Sequence, residues 1–248
     1  VVRDVSRERR LDQVRKDFVA NASHELRTPL TVLSGYVEML LDDVGRDHSA
    51  WAGPLTDMRE QTVRMEQLLA DLLLLSRLDE SPRAAAMQPV DLTHLLRRCC
   101  AEGARVAADK VTIEAEIDES LVLRGVEGEL RSIFDNLISN AVKYTAPGGK
   151  VRLKAARVGE GLQVEVVDTG IGIAPEHLPR LTERFYRVDG GRGRDQGGTG
   201  LGLAIVKHAL QRHDAQLLIQ SQQGVGSRFQ CLFPAHRVLA VSALGNCG

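Results

Sequence analysis

Two apolar stripes of helical period fill the first third of the chain, and they limit what it can fold into. Leu11, Val14 and Phe18, then Leu26, Leu30, Leu33, Val37 and Leu40, recur at spacings of three, four or their multiples. Side chains spaced this way share one face of an α-helix. The pattern predicts a helix from about Asp4 to Val44. A second stripe, Leu55, Met58, Thr62, Met65, Leu69 and Leu72, alternates threes and fours as a heptad seam does. Between them, Gly45 to Gly53 reads as a polar turn, with Asp47, Ser49 and Pro54 as breakers. Two long amphipathic helices on a short loop form an antiparallel hairpin. Alone, such a hairpin has too little to bury its seam against. The expectation is therefore a homodimer that closes a four-helix bundle. The competing arrangement packs the second helix on the remainder of the chain.

One group of residues falls off the first stripe. In the run from Phe18 to Leu30, His24 should face solvent, with Glu25 beside it and Thr28 one turn further on the same face. Pro29 removes a helical hydrogen bond and should bend the helix just after them. An exposed imidazole ordinarily titrates near pH ~6.5, so it is mostly neutral near pH 7 and can attack an electrophile. A neighbouring carboxylate can orient the ring and accept its proton. A His–Glu pair alone is usually an ordinary surface pair, so the rest of the chain has to decide.

The pattern changes after the hairpin. Residues 81–89, from Ser81-Pro82 to Pro89, read as a linker. Beyond it, helices are predicted over Thr93–Ala108, Glu127–Lys143 and Leu201–Gln211, with a short one over Glu176–Leu181. Strands are predicted over Val111–Ile117, Leu121–Arg124, Val151–Arg157, Leu162–Val167, Leu217–Gln220 and Arg228–Phe233. The fold class is α+β: a helical hairpin over 11–80, then an α/β sandwich over 90–236 with helices on one face of a sheet. Aromatic residues make up only 4% of the 248, which suits helical packing better than an all-β core. A net charge of -1 argues against a nucleic-acid partner. No apolar run approaches the ~18 residues of a membrane span, so direct membrane contact is not expected here. No signal peptide is expected either. Cys99, Cys100, Cys231 and Cys247 form no Cys-x-x-Cys pair, which argues against zinc and for a reducing compartment.

Four features of the second region need one another. Within Asp135–Tyr144, Asn136, Asn140 and Lys143 stand at i, i+4 and i+7 on a helix that is otherwise apolar, so they should line something. Amide oxygens are hard donors that suit Mg²⁺, and a lysine can meet phosphate. Asp168, ending a strand, can accept from an exocyclic amine. Gly170 and Gly172 after it let a flat ring approach the backbone. Gly197 to Leu203 places glycines ahead of a helix, offering backbone N–H groups and a positive dipole end to phosphates. Arg187, Arg192 and Arg194 add charge on the segment before it. Phe185, within Glu183–Arg187, could anchor that segment, although a core phenylalanine is the simpler reading of the residue alone.

Together these stretches resemble the bacterial sensor histidine kinases. Residues 23–30 resemble the H box, 135–144 the N box, 168–173 the G1 box, 183–187 the F box and 197–203 the G2 box. They stand in that family's order. Ala174–Asp189 and Lys207–Leu210 are the most particular, and resemble the branch that governs the response to phosphate starvation. The resemblance implies a dimerisation and phosphotransfer domain followed by an ATP-binding domain. His24 would be the phosphoacceptor, Glu25 its base, and Thr28 the residue that orients water for dephosphorylating a regulator. Asn136 and Asn140 would face Mg²⁺, Lys143 and Tyr144 the phosphates and ribose, and Asp168 adenine. Residues 188–198 would form a lid, and Gly198, Thr199, Gly200, Leu201 and Gly202 would cradle phosphate. The implied partners are a second copy and a response-regulator receiver domain. Residues 1–10 are similar to the end of an upstream PAS-like domain, which implies a cytoplasmic portion of a protein anchored in the inner membrane. Residues 237–248 are an unassigned tail. The alternative is a clamp-type ATPase of the same nucleotide fold, which lacks the His-bearing hairpin.

Overall fold

The computed structural model describes residues 29–33, 35–40, 52–80, 87–108, 110–188 and 198–240. The chain divides into two compact units, residues 1–73 with 197–199, and residues 74–196 with 200–248.

The first unit is helical. Helix α1 is described over 29–33 and 35–40, and helix α2 spans Ala52–Glu80, its residues from 74 on belonging to the second unit. The Tyr36 hydroxyl of α1 donates to the Asp57 carboxylate of α2, an exposed bond that links the two helices and raises the phenol pKa. Seam residues Leu55 and Leu69 remain 52% and 48% exposed in the single chain. Val37 and Met39 of α1 are exposed as well. His24, Glu25 and Thr28 lie outside the described residues.

The second unit is an α/β sandwich. Its elements run β1 (Gln88–Asp91), α3 (Leu92–Ala107), β2 (Thr112–Ile117), β3 (Val122–Gly125), α4 (Glu127–Tyr144), β4 (Lys150–Val158) and β5 (Gly161–Asp168). A 3-10 turn (Pro175–Arg180), α5 (Gly202–Arg212), β6 (Gln216–Gln222), β7 (Gly226–Phe233), a 3-10 turn (Ala235–Arg237) and β8 (Val238–Leu239) follow. The main sheet has the order β2-β4-β5-β7-β6, with β2 and β4 parallel and every other pair antiparallel.

Along β5, burial alternates strictly. Leu162, Val164, Val166 and Asp168 turn inward, so the strand's period of two puts the carboxylate on the core face at its end. Helices α3, α4 and α5 cover that face. The inner side of α4, Leu130, Ile133, Phe134, Leu137, Ile138 and Ala141, is fully buried. Each large apolar side chain there contributes about 1.5–3 kcal/mol of burial. The Asp91 carboxylate caps α3 by accepting from the His94 N–H at 2.9 Å.

A second, small sheet has the order β1-β3-β8. Strand β1 begins at Gln88, within the stretch that reads as a linker. Pro89 is tolerated because β1 is an edge strand. Val238 and Leu239, in the stretch without an assignment, pair with Leu123 and Val122 of β3. The helix expected over Glu176–Leu181 is a 3-10 turn, because Pro175 and Pro179 remove two N–H donors from so short a segment.

Candidate nucleotide-binding site

Helix α4 supplies one wall. Asn136, Asn140 and Lys143 are half-buried and lie off its apolar face. The Asn136 amide is oriented from within the helix. Its Nδ2 donates to the Ser132 carbonyl at 2.8 Å and lies 3.4 Å from the Ser132 hydroxyl. Its Oδ1 therefore turns toward the first residue of α5. A β-carbon on Gly202 would stand 2.4 Å from that oxygen, which explains why the position holds a glycine. An amide oxygen thus meets a helix N-terminus, where N–H groups and the dipole favour anions.

The end of α4 meets the turn after β5. Tyr144 lies under the Lys143 ammonium, 5.0 Å from its ring centroid, and its carbonyl accepts from the Ile171 N–H at 3.1 Å. A β-carbon on Gly170 would lie 2.4 Å from that same carbonyl oxygen. Asp168 is only 6% exposed. Burial raises its pKa, and the N–H groups of Gly170 (2.9 Å) and Ser227 (3.2 Å), both donating to Oδ1, oppose that rise. Gly172 has φ +64°, and a β-carbon there would stand 2.0 Å from the Gln222 carbonyl oxygen. The turn after Asp168 is thus pressed against the β6–β7 hairpin.

Phe185 adopts φ +63°, strained for a bulky residue. Its N–H donates to the Gly200 carbonyl at 2.9 Å, and Gly200 (φ +70°) packs flat on its backbone. Phe185 therefore meets Gly200 through its main chain, a contact that neither sequence reading of that residue specified. Next to it, Tyr186 bonds His177 at 2.7 Å and lies under the Arg180 guanidinium at 4.2 Å. Arg187 is half-buried.

The structure thus brings Asn136 to Gly202, Gly170 to Tyr144, Asp168 to Ser227, and Phe185 to Gly200. Leu201 is fully buried just ahead of α5. Gly198 and Thr199 group instead with the helical unit, where the Thr199 hydroxyl donates to Asp71 at 2.9 Å. Gln67 donates to the other Asp71 oxygen at 2.8 Å, and burial raises the pKa of this carboxyl. Arg192 and Arg194 lie outside the described residues.

Two residues that sequence patterns did not single out also belong to the site. Ser227 donates its N–H to Asp168, and Ser221 lies behind the turn. The available signal was Gly224-Val225-Gly226-Ser227, a glycine-bearing hairpin between two strands, but only the fold shows where it docks.

Chemically, Asp168 is a buried acceptor on a rigid turn, and the Asn136 and Asn140 oxygens are hard donors. No cluster of three His, Cys, Asp or Glu residues suited to a metal occurs among the described residues. The donor set present fits a Mg²⁺ ion that draws its other ligands from phosphates and water. The described cysteines are buried, and burial pushes the thiols of Cys100 and Cys231 up to about 11 and about 12.

Fold and site together define a chain of two units, one helical and one an α/β sandwich that carries the candidate site. The family profile for the His Kinase A (phospho-acceptor) domain matches residues 14–81. That for the histidine kinase-, DNA gyrase B- and HSP90-like ATPases matches residues 125–237. The chain belongs to the sensor histidine kinases. It is 49% identical to the phosphate regulon sensor protein PhoR of Pseudomonas aeruginosa over 96% of its length, and spans 54% of that relative. Among solved structures it resembles full-length ShkA in complex with AMPPNP, at 28% identity and TM-score 0.65, covering 90% of this chain and 46% of that one. It also shares the fold of histidine kinase ThkA in complex with the response regulator protein TrrA, at 17% identity and TM-score 0.73, covering 92% and 64%.

Proposed function

We propose that the chain is the catalytic portion of a histidine kinase that phosphorylates His24 with Mg-ATP and passes the phosphoryl group to an aspartate of a response regulator. The observation that carries this reading is the meeting of the Asn136 amide oxygen with the α5 N-terminus, in a chain whose phospho-acceptor domain contains His24. A ring nitrogen of His24 attacks the γ-phosphorus, the bond to the bridging oxygen breaks, ADP leaves, and the ring proton passes to Glu25. The protein's part is mostly positioning and electrostatics. Asn136 and Asn140 would hold Mg²⁺, which supplies charge neutralisation at the phosphates. Lys143 and Arg187 add cationic charge, the backbone from Gly200 to Gly202 cradles phosphate, Tyr144 lines the ribose side, and Asp168 accepts from the adenine amine.

The apolar residues left exposed on α1 and α2, Val37, Met39, Leu55 and Leu69 among them, support a homodimer that covers them. The likeness to PhoR supports a role in the response to phosphate starvation, and an anchor in the bacterial inner membrane lying outside this portion. No helix among the described residues is long and apolar enough to cross a membrane.

The test is to incubate the chain and a His24→Gln variant with γ-labelled ATP and Mg²⁺. An acid-labile, alkali-stable label on the parent alone is expected. ATP turnover with no label on either protein would replace the kinase by a clamp-type ATPase. Thr28→Ala should label as the parent does, yet dephosphorylate a phosphorylated regulator on the order of tenfold more slowly. Equal dephosphorylation rates would remove Thr28 from the reaction.

A further inference from the structure

We infer that Ser221 is a positioning residue for the nucleotide site, its hydroxyl pinning the turn after Asp168 to the β6–β7 hairpin. This rests on the proposed ATP reading of that site. Ser221 is half-buried and lies in β6, two strands away from β5 in the sheet order. Its Oγ accepts from the Ile173 N–H at 2.8 Å and donates to the Gly226 carbonyl at 2.9 Å. It also lies 3.0 Å from the Ser227 hydroxyl. One hydroxyl thus uses its donor and an acceptor lone pair on two different turns.

Everything around it locks the same two segments. The Gly224 N–H donates to the Ile171 carbonyl at 2.7 Å, so the turn is held on both sides of Gly172. Gly172 leaves no room for a side chain against Gln222, and Gly226 leaves none against the Asp168 carbonyl, where a β-carbon would stand at 2.0 Å. The consequence reaches the base acceptor. Asp168 Oδ1 takes one N–H from Gly170, on the turn, and one from Ser227, on the hairpin. The rotation of the carboxylate is therefore set by the spacing of two segments that Ser221 ties together. Loosening that tie moves one donor against the other and turns the oxygen that adenine would meet.

A serine that only supported the sheet would change stability without changing how nucleotide binds. The experiment compares the parent with Ser221→Ala and Ser221→Thr, following ATP dependence of His24 phosphorylation and amide exchange at Ile173 without nucleotide. In Ser221→Ala, the KM for ATP should rise about tenfold, with the rate at saturating ATP within about twofold of the parent. The Ile173 amide should exchange faster, and Ser221→Thr, which keeps the hydroxyl, should restore both. Unchanged Ile173 exchange in Ser221→Ala would overturn the pin. Faster exchange with unchanged KM would reduce Ser221 to a structural residue. A parent chain that binds no ATP would overturn the nucleotide reading instead, and Ile173 exchange would still report whether Ser221 holds the turn.

Discussion

Asp168→Asn should lower ATP affinity by about a hundredfold or more while leaving the fold intact. The substitution keeps size and shape. The asparagine oxygen can still accept from the Gly170 and Ser227 N–H groups that hold Oδ1. The other atom changes from acceptor to donor, and on the proposed reading it then faces the exocyclic amine of adenine, donor against donor. A site built to hydrogen-bond a polar group loses several kcal/mol when its partner is wrong, because both are left buried and unpaired. Stability should hold or rise, since burial already disfavours the Asp168 charge and the neutral amide removes that cost. Calorimetric titration of parent and variant with ATP, with melting curves on both, measures this directly. A dissociation constant within threefold of the parent would mean that Asp168 does not read the base.

Much of the second unit was legible because its residues follow a single period. The α4 face, with Leu130, Ile133, Phe134, Leu137, Ile138 and Ala141, reads at 3.6, and Leu162, Val164 and Val166 of β5 read at two. Asp168 continues that count, so its inward direction was implicit in the strand. Strand β1 was not legible, because Gln88-Pro89-Val90-Asp91 has no alternation and becomes a strand only by pairing with β3. For β8, two residues are too few for any period. The parallel pairing of β2 with β4 is likewise a fact of topology rather than of either strand's composition.

The site divides the same way. Residues that need a particular chemistry at a fixed spacing on one element, such as Asn136, Asn140 and Lys143, stand out in the sequence. Those that act across elements do not. Ser221 is a serine in a strand of Gln, Leu and Ile until the fold sets it against Ile173, 48 positions away. Thr199 and Asp71 are 128 positions apart, and nothing in either stretch announces their hydrogen bond. Gly202 is a case between these, since its glycine was read as phosphate access but also gives way to the Asn136 oxygen.

His213→Ala should destabilise the second unit by about 3–5 kcal/mol, which lowers its melting temperature by roughly 10 °C. His213 is fully buried, and both ring nitrogens are engaged. Nδ1 donates to the Ala209 carbonyl at 2.7 Å, and Nε2 accepts from the Val126 N–H at 3.1 Å, which fixes the neutral ring in one tautomer. The imidazole thereby ties the last turn of α5 to the first turn of α4. Alanine would leave a part-buried helix-start N–H without its acceptor and a cavity where the ring stood.

The same residue sets an acid limit. Burial lowers its pKa first of all, and Arg237 and Arg212 push the same way. The Ala209 carbonyl and Glu129, 3.8 Å from Nδ1, oppose them. Glu129 is itself held by Arg212 at 3.0 Å. Because the folded pKa lies below the unfolded value of about 6.5, the stability of the neutral pairing is complete above about pH 6.5. It is lost progressively as pH falls from there through the folded pKa, since the unfolded chain takes up the proton first. His213→Gln, which keeps a donor and an acceptor but does not titrate, should therefore flatten the decline in melting temperature below about pH 6.5. Identical slopes in parent and His213→Gln would assign the acid sensitivity to other groups, and an alanine variant melting within about 2 °C of the parent would show that the α4–α5 tie contributes little.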